Sequence, residues 1–400
     1  MPHRIQLREL EMKRGPSLDR QIVRELRRTD FPWTDETVYM NNAATGPLPE
    51  RSRRVLDDLA DRRMAPYLLE ELDMPALMAE TRQTVAQLIS ADECEIGLTP
   101  NTGYGINIAA QSLPLEPGDR VVISDGEFPA NVYPWLHMRR RGIEVEMVPR
   151  TAHGWPDEEA LIERLNSPSA RALSISLVQF STGYMADVER LAEACRSAGC
   201  YFVVDGIQGI GATPFDVAAT AVDILACGGQ KWLLSPWGSG FVYVRRELLE
   251  SMHPPAVGWM AFEGTDDHTR LTEYSTTYHS DGRRLELVTL PYQDLIAMKE
   301  SVRLLLDLGI DRIAQWIGEV RRPLIDAARG GQIKLASPTD GCHESAIVCV
   351  VTADPMSSYR RLREAGVVCS FREGAIRLAP HCYNLPEETE RVVQILTELR

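Results

Sequence analysis

Two chemically useful side chains stand where apolar runs end. In YFVVDGIQ (201–208), four apolar residues lead into Asp205, with Gln208 three positions on. In DILACGGQKWLL (223–234), an apolar run and two glycines lead to Lys231, with Trp232, Leu233 and Leu234 behind it. Taken singly, each has an ordinary reading. Asp favours helix N-caps and turns, and a lysine at a strand end snorkels to water. Taken together, they are a carboxylate and a desolvated amine placed after neighbouring apolar runs. An amine stripped of water is more available in its neutral form and is the kind that forms Schiff bases. A carboxylate beside a pyridine nitrogen keeps that nitrogen protonated and makes the ring an electron sink. These are the two groups that pyridoxal phosphate asks of a protein.

Such groups need a sheet to hold them. RVVIS (120–124), EVEMVP (144–149), ALSISLV (172–178), YFVVD (201–205), DILAC (223–227) and GFVYV (240–244) read as strands. Helical stretches lie between several of them: WLHMRRRG (135–142), DEEALIERLNS (157–167) and DVERLAEACRSAGC (187–200). Apolar strands flanked by helices are covered on both faces, which predicts an α/β domain with a mostly parallel central sheet. Ligands bind such sheets at the carboxyl ends of the strands. Before this region lies a charged N-terminal segment with helical spacing at Ile22, Val23 and Leu26, and helical spacing returns between about 50 and 90. After about 290, a long helix (295–309), AIVCVVT (346–352), AIRLAP (375–380) and an amphipathic helix (388–400) suit a smaller α+β domain. The expected division is 1–35 as an N-terminal segment packing on the small domain, 36–290 as the large domain and 291–400 as the small one.

Composition bounds the function. The 400 residues are 44% hydrophobic and 25% charged, ordinary globular values that exclude a disordered or low-complexity chain. Acidic residues (57) outnumber basic ones (43), giving a net charge of −14, which argues against binding a nucleic-acid backbone. No apolar run approaches the ~20 residues of a membrane span, and the first thirty residues lack the apolar core of a signal peptide. The expected compartment is the cytoplasm. The eight cysteines are scattered without a C-x-x-C pair, so neither a metal site nor a disulfide scaffold is expected.

The stretch 203–244, with VYMNNAATGPLP (38–49) and the remainder of the chain, resembles the class V aminotransferase family of fold-type I pyridoxal-phosphate enzymes. That group includes cysteine desulfurases, selenocysteine lyases, kynureninases and isopenicillin N epimerase. The resemblance implies pyridoxal 5'-phosphate as cofactor, with Lys231 holding its aldehyde, Asp205 pairing with the ring nitrogen and Gln208 near the phenolic oxygen. In TPNTGYGINIAA (99–110) it places Thr102 and Gly103 at the phosphate; small residues opening a helix present free N–H groups to an anion. In GEFPANVYPW (126–135) it stacks Phe128 on the ring, and in SLVQFSTG it sets Gln179 beside a cofactor oxygen. Arg377 in AIRLAPHCYN would grip the substrate α-carboxylate, with Asn42 close by. Thr289 would reach the phosphate of a neighbouring subunit, which implies a homodimer with shared sites.

The chain departs from cysteine desulfurases in three places. Their stacking histidine is replaced within Glu127-Phe128-Pro129. VVCSFREGAIR (367–377) is too short for their nucleophilic-cysteine loop, so Cys369 and Cys382 read as structural. Gly228-Gly229-Gln230 stands where the family often has Ser/Thr-Gly-His and lacks that phosphate-binding hydroxyl. The expected activity is therefore a β-elimination or C–S lyase reaction on an α-amino acid, with Lys231 moving the Cα proton. The alternatives are an aminotransferase or amino-acid epimerase, a kynureninase-like C–C hydrolase, and a non-catalytic coenzyme-binding homologue.

Overall fold

A computed structural model describes residues 18–398 other than 288 and 340. The strands in chain order are β1 (Val38–Tyr39), β2 (Ile96–Leu98), β3 (Arg120–Ser124), β4 (Glu144–Val148), β5 (Ala170–Ser176), β6 (Tyr201–Asp205), β7 (Ile224–Gly228), β8 (Gly240–Val244), β9 (Lys334–Leu335), β10 (Val348–Val351), β11 (Val367–Val368), β12 (Ser370–Arg372) and β13 (Ala375–Leu378). All six apolar runs of the central region form strands. They join one seven-stranded sheet in the order β2-β8-β7-β6-β5-β3-β4. The pairings from β4 through β3, β5 and β6 to β7 are parallel, while β8 is antiparallel to both β7 and β2. The sheet is thus mostly parallel, as expected, with two antiparallel pairings at one edge. β2 has three residues, too few for a readable alternation.

Helices cover the sheet because their ends are written locally. Asp187 caps the helix Val188–Ala198 by accepting from Arg190 N–H, and Gly199, at φ 67°, ends it. Asp157 caps Glu158–Leu165 in the same way. The helix Thr102–Ser112 starts at Asn101, whose side chain accepts from Tyr104 N–H. The interior strands are apolar on both faces: Phe202, Val203 and Val204 are buried, as are Ile224, Leu225 and Ala226. Each large apolar side chain among them contributes roughly 1.5–3 kcal/mol by leaving water, and this fixes the strand ends that carry polar groups.

A second, antiparallel sheet runs β12-β13-β10-β9. Arg377 lies on β13, between β10 and β12. The early segment reaches this sheet from far away in the chain. β1 pairs in parallel with β11, and Asn41 bridges to Ala379. The helix Arg20–Asp30 packs near the chain's end, where Arg27 donates to Tyr383 O at 3.2 Å and to Glu388 at 2.6 Å. Residues 1–17 of the expected N-terminal segment lie outside the described residues. No helix among the described residues is long and apolar enough to cross a membrane.

Candidate active site

The register sets Ser176 on β5, Asp205 on β6 and Ala226 on β7 side by side. β5 and β6 therefore end level while β7 runs on to Gly228, and polar side chains gather there. Asp205 is 1% exposed and accepts from Ile207 N–H at 3.1 Å. Burial pushes its carboxyl up to about 7; the Glu127 charge adds to this, while Ile207 N–H and the Lys231 amine oppose it. Burial likewise holds the Lys231 amine down at about 8, against the pull of Asp205. Lys231 Nζ lies 5.4 Å from the centre of the Phe128 ring. The structure thus brings Lys231, Asp205 and Phe128 together. Phe128 is 41% exposed and meets Phe180 edge-on with 5.2 Å between ring centres.

The Lys231 turn is held by the early segment. Gly46 N–H donates to Gln230 O at 2.8 Å. A Cβ on Gly46 would lie 2.0 Å from Lys231 O, so only glycine permits this approach. Gln208 is buried; its Nε2 donates to Ala43 O at 3.1 Å and its Oε1 accepts from Trp232 Nε1 at 2.9 Å. Asn42 is buried as well, donating to Ala379 O at 2.8 Å and accepting from Tyr383 O–H at 3.0 Å. Both amides thus brace the site's backbone.

At the helix start, Thr102 Oγ accepts from Gly228 N–H at 2.8 Å. The glycine pair before Lys231 is thereby anchored to the helix opening. The first N–H groups of a helix have no intrahelical acceptor. Gly103 leaves room there: the nearest atoms to an added Cβ are Asn101 Oδ1 at 3.3 Å and Ala130 Cβ at 4.0 Å. Gln230 turns toward the same place, since a Cβ on Gly228 would meet its Oε1 at 2.5 Å.

Arg377 is 3% exposed. Its Nε donates to Ser370 Oγ at 3.2 Å and one terminal nitrogen to Phe180 O at 2.8 Å. No carboxylate among the described residues pairs with it, and burial lowers its guanidinium to about 10. A buried cation without a counter-ion is costly unless an anion arrives. Thr289 makes none of these contacts and is exposed on the segment before the helix Tyr292–Leu308. Cys369 and Cys382 are buried in apolar surroundings, which push the Cys369 thiol up to about 12 and the Cys382 thiol well above its ordinary value.

Sequence reading missed several residues. Glu127 is buried and accepts from Ser176 N–H (3.0 Å), Ser176 Oγ, Asn131 Nδ2 (3.0 Å) and Gln179 Nε2 (2.6 Å). It therefore fixes Gln179 as well as placing charge near Asp205. The acid and amide four apart in EFPAN were the available signal. His381 is buried, with Nδ1 accepting from Cys382 N–H (2.7 Å) and Nε2 donating to Trp232 O (3.0 Å). Those partners require a neutral ring, and burial lowers it to about 4. Asn41 Oδ1 is buried with no partner among the described residues.

In the 255–282 segment, Phe262 and Tyr278 stack on each other with 4.7 Å between ring centres. Trp259 helps line a cavity of about 730 Å³ with Met74, Arg82, Cys94 and Glu286. None of the residues expected to bind coenzyme lines that cavity.

The donor set fits pyridoxal phosphate: an amine for its aldehyde, a buried acid for its ring nitrogen, an aromatic face and a helix opening for its phosphate. The family model for class-V aminotransferases matches residues 38–370. The cysteine desulfurase CsdA of Escherichia coli (strain K12) is 32% identical over 299 residues, covering 72% of this chain and 73% of that one. Isopenicillin N epimerase of Streptomyces clavuligerus is 30% identical over 302 residues, covering 73% and 74%. The fold matches that of a C-DES mutant with glycine covalently linked to its PLP cofactor, at TM-score 0.81 and 21% identity over 92% of this chain and 98% of that one. The chain is thus an enzyme of the class-V aminotransferase family, whose coenzyme is pyridoxal phosphate.

Proposed function

We propose that this enzyme acts on an α-amino acid by a β-elimination, in the manner of a C–S lyase. Arg377 carries the reading: a buried guanidinium aimed by Ser370 and Phe180 O, without an acid partner of its own, is suited to an incoming α-carboxylate. Bound pyridoxal phosphate supplies an electron sink for the bond broken at Cα. Lys231 would hold the coenzyme through its aldehyde carbon, and its amine is the base available for the Cα proton; its depressed basicity suits proton exchange near neutral pH. Asp205 would pair with the ring nitrogen, and Phe128 would cover one face of the ring. Thr102 and Gly103 would receive the phosphate, with Gln179 and Gln208 holding the surrounding frame and Asn42 fixing the backbone beside Arg377.

Elimination is favoured over desulfuration through a protein persulfide because Cys369 and Cys382 are packed in apolar surroundings. Thr289 and the exposed Trp237, Tyr274, Met64 and Tyr67 support a homodimer with sites shared across the interface. The cytoplasm is the proposed location.

A panel of amino acids incubated with the purified holoenzyme tests the reading. Keto acid and ammonia released together, with sulfide from a sulfur-bearing substrate, is the expected result. A new amino acid formed from an added keto acid indicates transamination, and a D-isomer indicates epimerisation. Cleavage of a β,γ C–C bond indicates a kynureninase-like reaction. A protein that takes no coenzyme has none of these activities.

A further inference from the structure

Two guanidinium groups share one face of the β12–β13 hairpin. Side chains alternate along a strand, so Ser370 and Arg372 project to the same side. The register sets Ser370 opposite Arg377 and Arg372 opposite Ala375, which puts Arg377 on that side too. The turn is two residues long, Glu373 at φ 46° and Gly374 at φ 81°. Two successive positive φ values are what a type I′ turn needs, and such a turn pins the register. The arginines are therefore diagonal neighbours, roughly 7–8 Å apart at the backbone.

Arg377 is buried, but Arg372 is exposed, donating to Phe371 O of its own strand at 2.9 Å. Neither has a carboxylate partner among the described residues. In a chain with 57 acidic and 43 basic residues, most arginines have acids nearby. Many pair within their own helix, as Arg53 does with Glu50 and Asp57. The charge on Arg372 reaches inward: it opposes protonation of both Arg377 and Lys231.

An α-amino acid brings one carboxylate, which Arg377 takes. Arg372 is left beside it, on the same face and toward solvent. We propose that Arg372 binds a second anionic group, on the substrate's side chain, so that the enzyme prefers amino acids whose side chain carries a carboxylate beyond the leaving group; glutamate and aspartate are probes of that binding. This rests on the reading that Arg377 receives the α-carboxylate.

The test is a binding titration of the holoenzyme, followed by the absorbance of its bound coenzyme, with glutamate, glutamine, aspartate and asparagine. The acid of each pair is expected to bind at least about fivefold more tightly than its amide, since a partly exposed ion pair is worth about 1 kcal/mol. The ratio should shrink as salt is added. Arg372→Gln should bring it to about one, and Arg372→Lys should keep part of it. Equal binding of acid and amide, or a preference that survives Arg372→Gln, overturns the proposal while leaving the role of Arg377 standing. If none of the four perturbs the coenzyme, the reading of Arg377 falls and this proposal falls with it.

Discussion

The Trp232 indole N–H donates to Gln208 Oε1 across 2.9 Å and ties the turn that carries Lys231 to the turn that carries Asp205. Both groups are buried, so losing one partner strands the other. Gln208→Leu is expected to cost about 1–3 kcal/mol, read by urea unfolding of the coenzyme-free protein. Coenzyme affinity should fall as well, because the two turns lose their brace. Unchanged stability and unchanged affinity would show that the bond positions nothing.

The chain has four lysines: Lys13, Lys231, Lys299 and Lys334. Lys299 donates to Glu80 at 2.8 Å. Burial leaves the Lys231 amine less basic than an ordinary lysine, so it should react first with an amine-selective reagent near pH 8 in the coenzyme-free protein. After coenzyme is added, borohydride should fix it covalently on Lys231, as read by peptide mass spectrometry. Lys231→Ala should abolish that adduct. Attachment at Lys299 or Lys334 instead would sink the assignment.

Arg377 is expected to trade stability for binding. Its guanidinium is buried without a counter-ion, and a well-packed apolar residue there removes the charge-burial cost. Arg377→Leu should leave the melting temperature of the substrate-free enzyme equal or higher, while amino acids bind at least about tenfold more weakly, a loss of about 1.4 kcal/mol. A strongly destabilised variant that binds amino acids normally would assign Arg377 to structure alone.

Asp205 and Lys231 give the coenzyme-free protein a distinctive pH dependence. The Asp205 carboxyl, raised by burial to about 7, binds more protons folded than unfolded between its ordinary value and about 7. Stability from this group therefore falls as pH rises through that window. The Lys231 amine, depressed by burial to about 8, binds fewer protons folded than unfolded from there up to its ordinary 10.5. Stability from this group rises with pH there. Urea midpoints measured from pH 4 to 10 on the native chain minus those on Asp205→Asn should isolate the falling arm. A difference that does not vary with pH contradicts it.

Cys369→Ala and Cys382→Ala, singly and together, should keep turnover per folded molecule. Each leaves a small cavity costing on the order of 1 kcal/mol. A double variant that folds, holds coenzyme and has lost sulfide release would restore a thiol intermediate.

The sequence by itself settled what is local. Apolar runs of strand length named six of the seven strands of the central sheet, and Asp205 and Lys231 were readable because each follows such a run. The short turn between Arg372 and Arg377 was equally visible and excluded an inserted cysteine loop. Only the tertiary structure decided what depends on distant meetings. Glu127 receives Ser176 and Gln179, Gly46 lies against Lys231, and Asn42 binds Ala379 across 337 positions of chain. A strand's alternation is written in adjacent residues, whereas a buried polar group's partner is set by which strand ends the sheet brings level. For that reason the chain partners of Glu127, Gln208 and Asn42 could not be read from the residues around them.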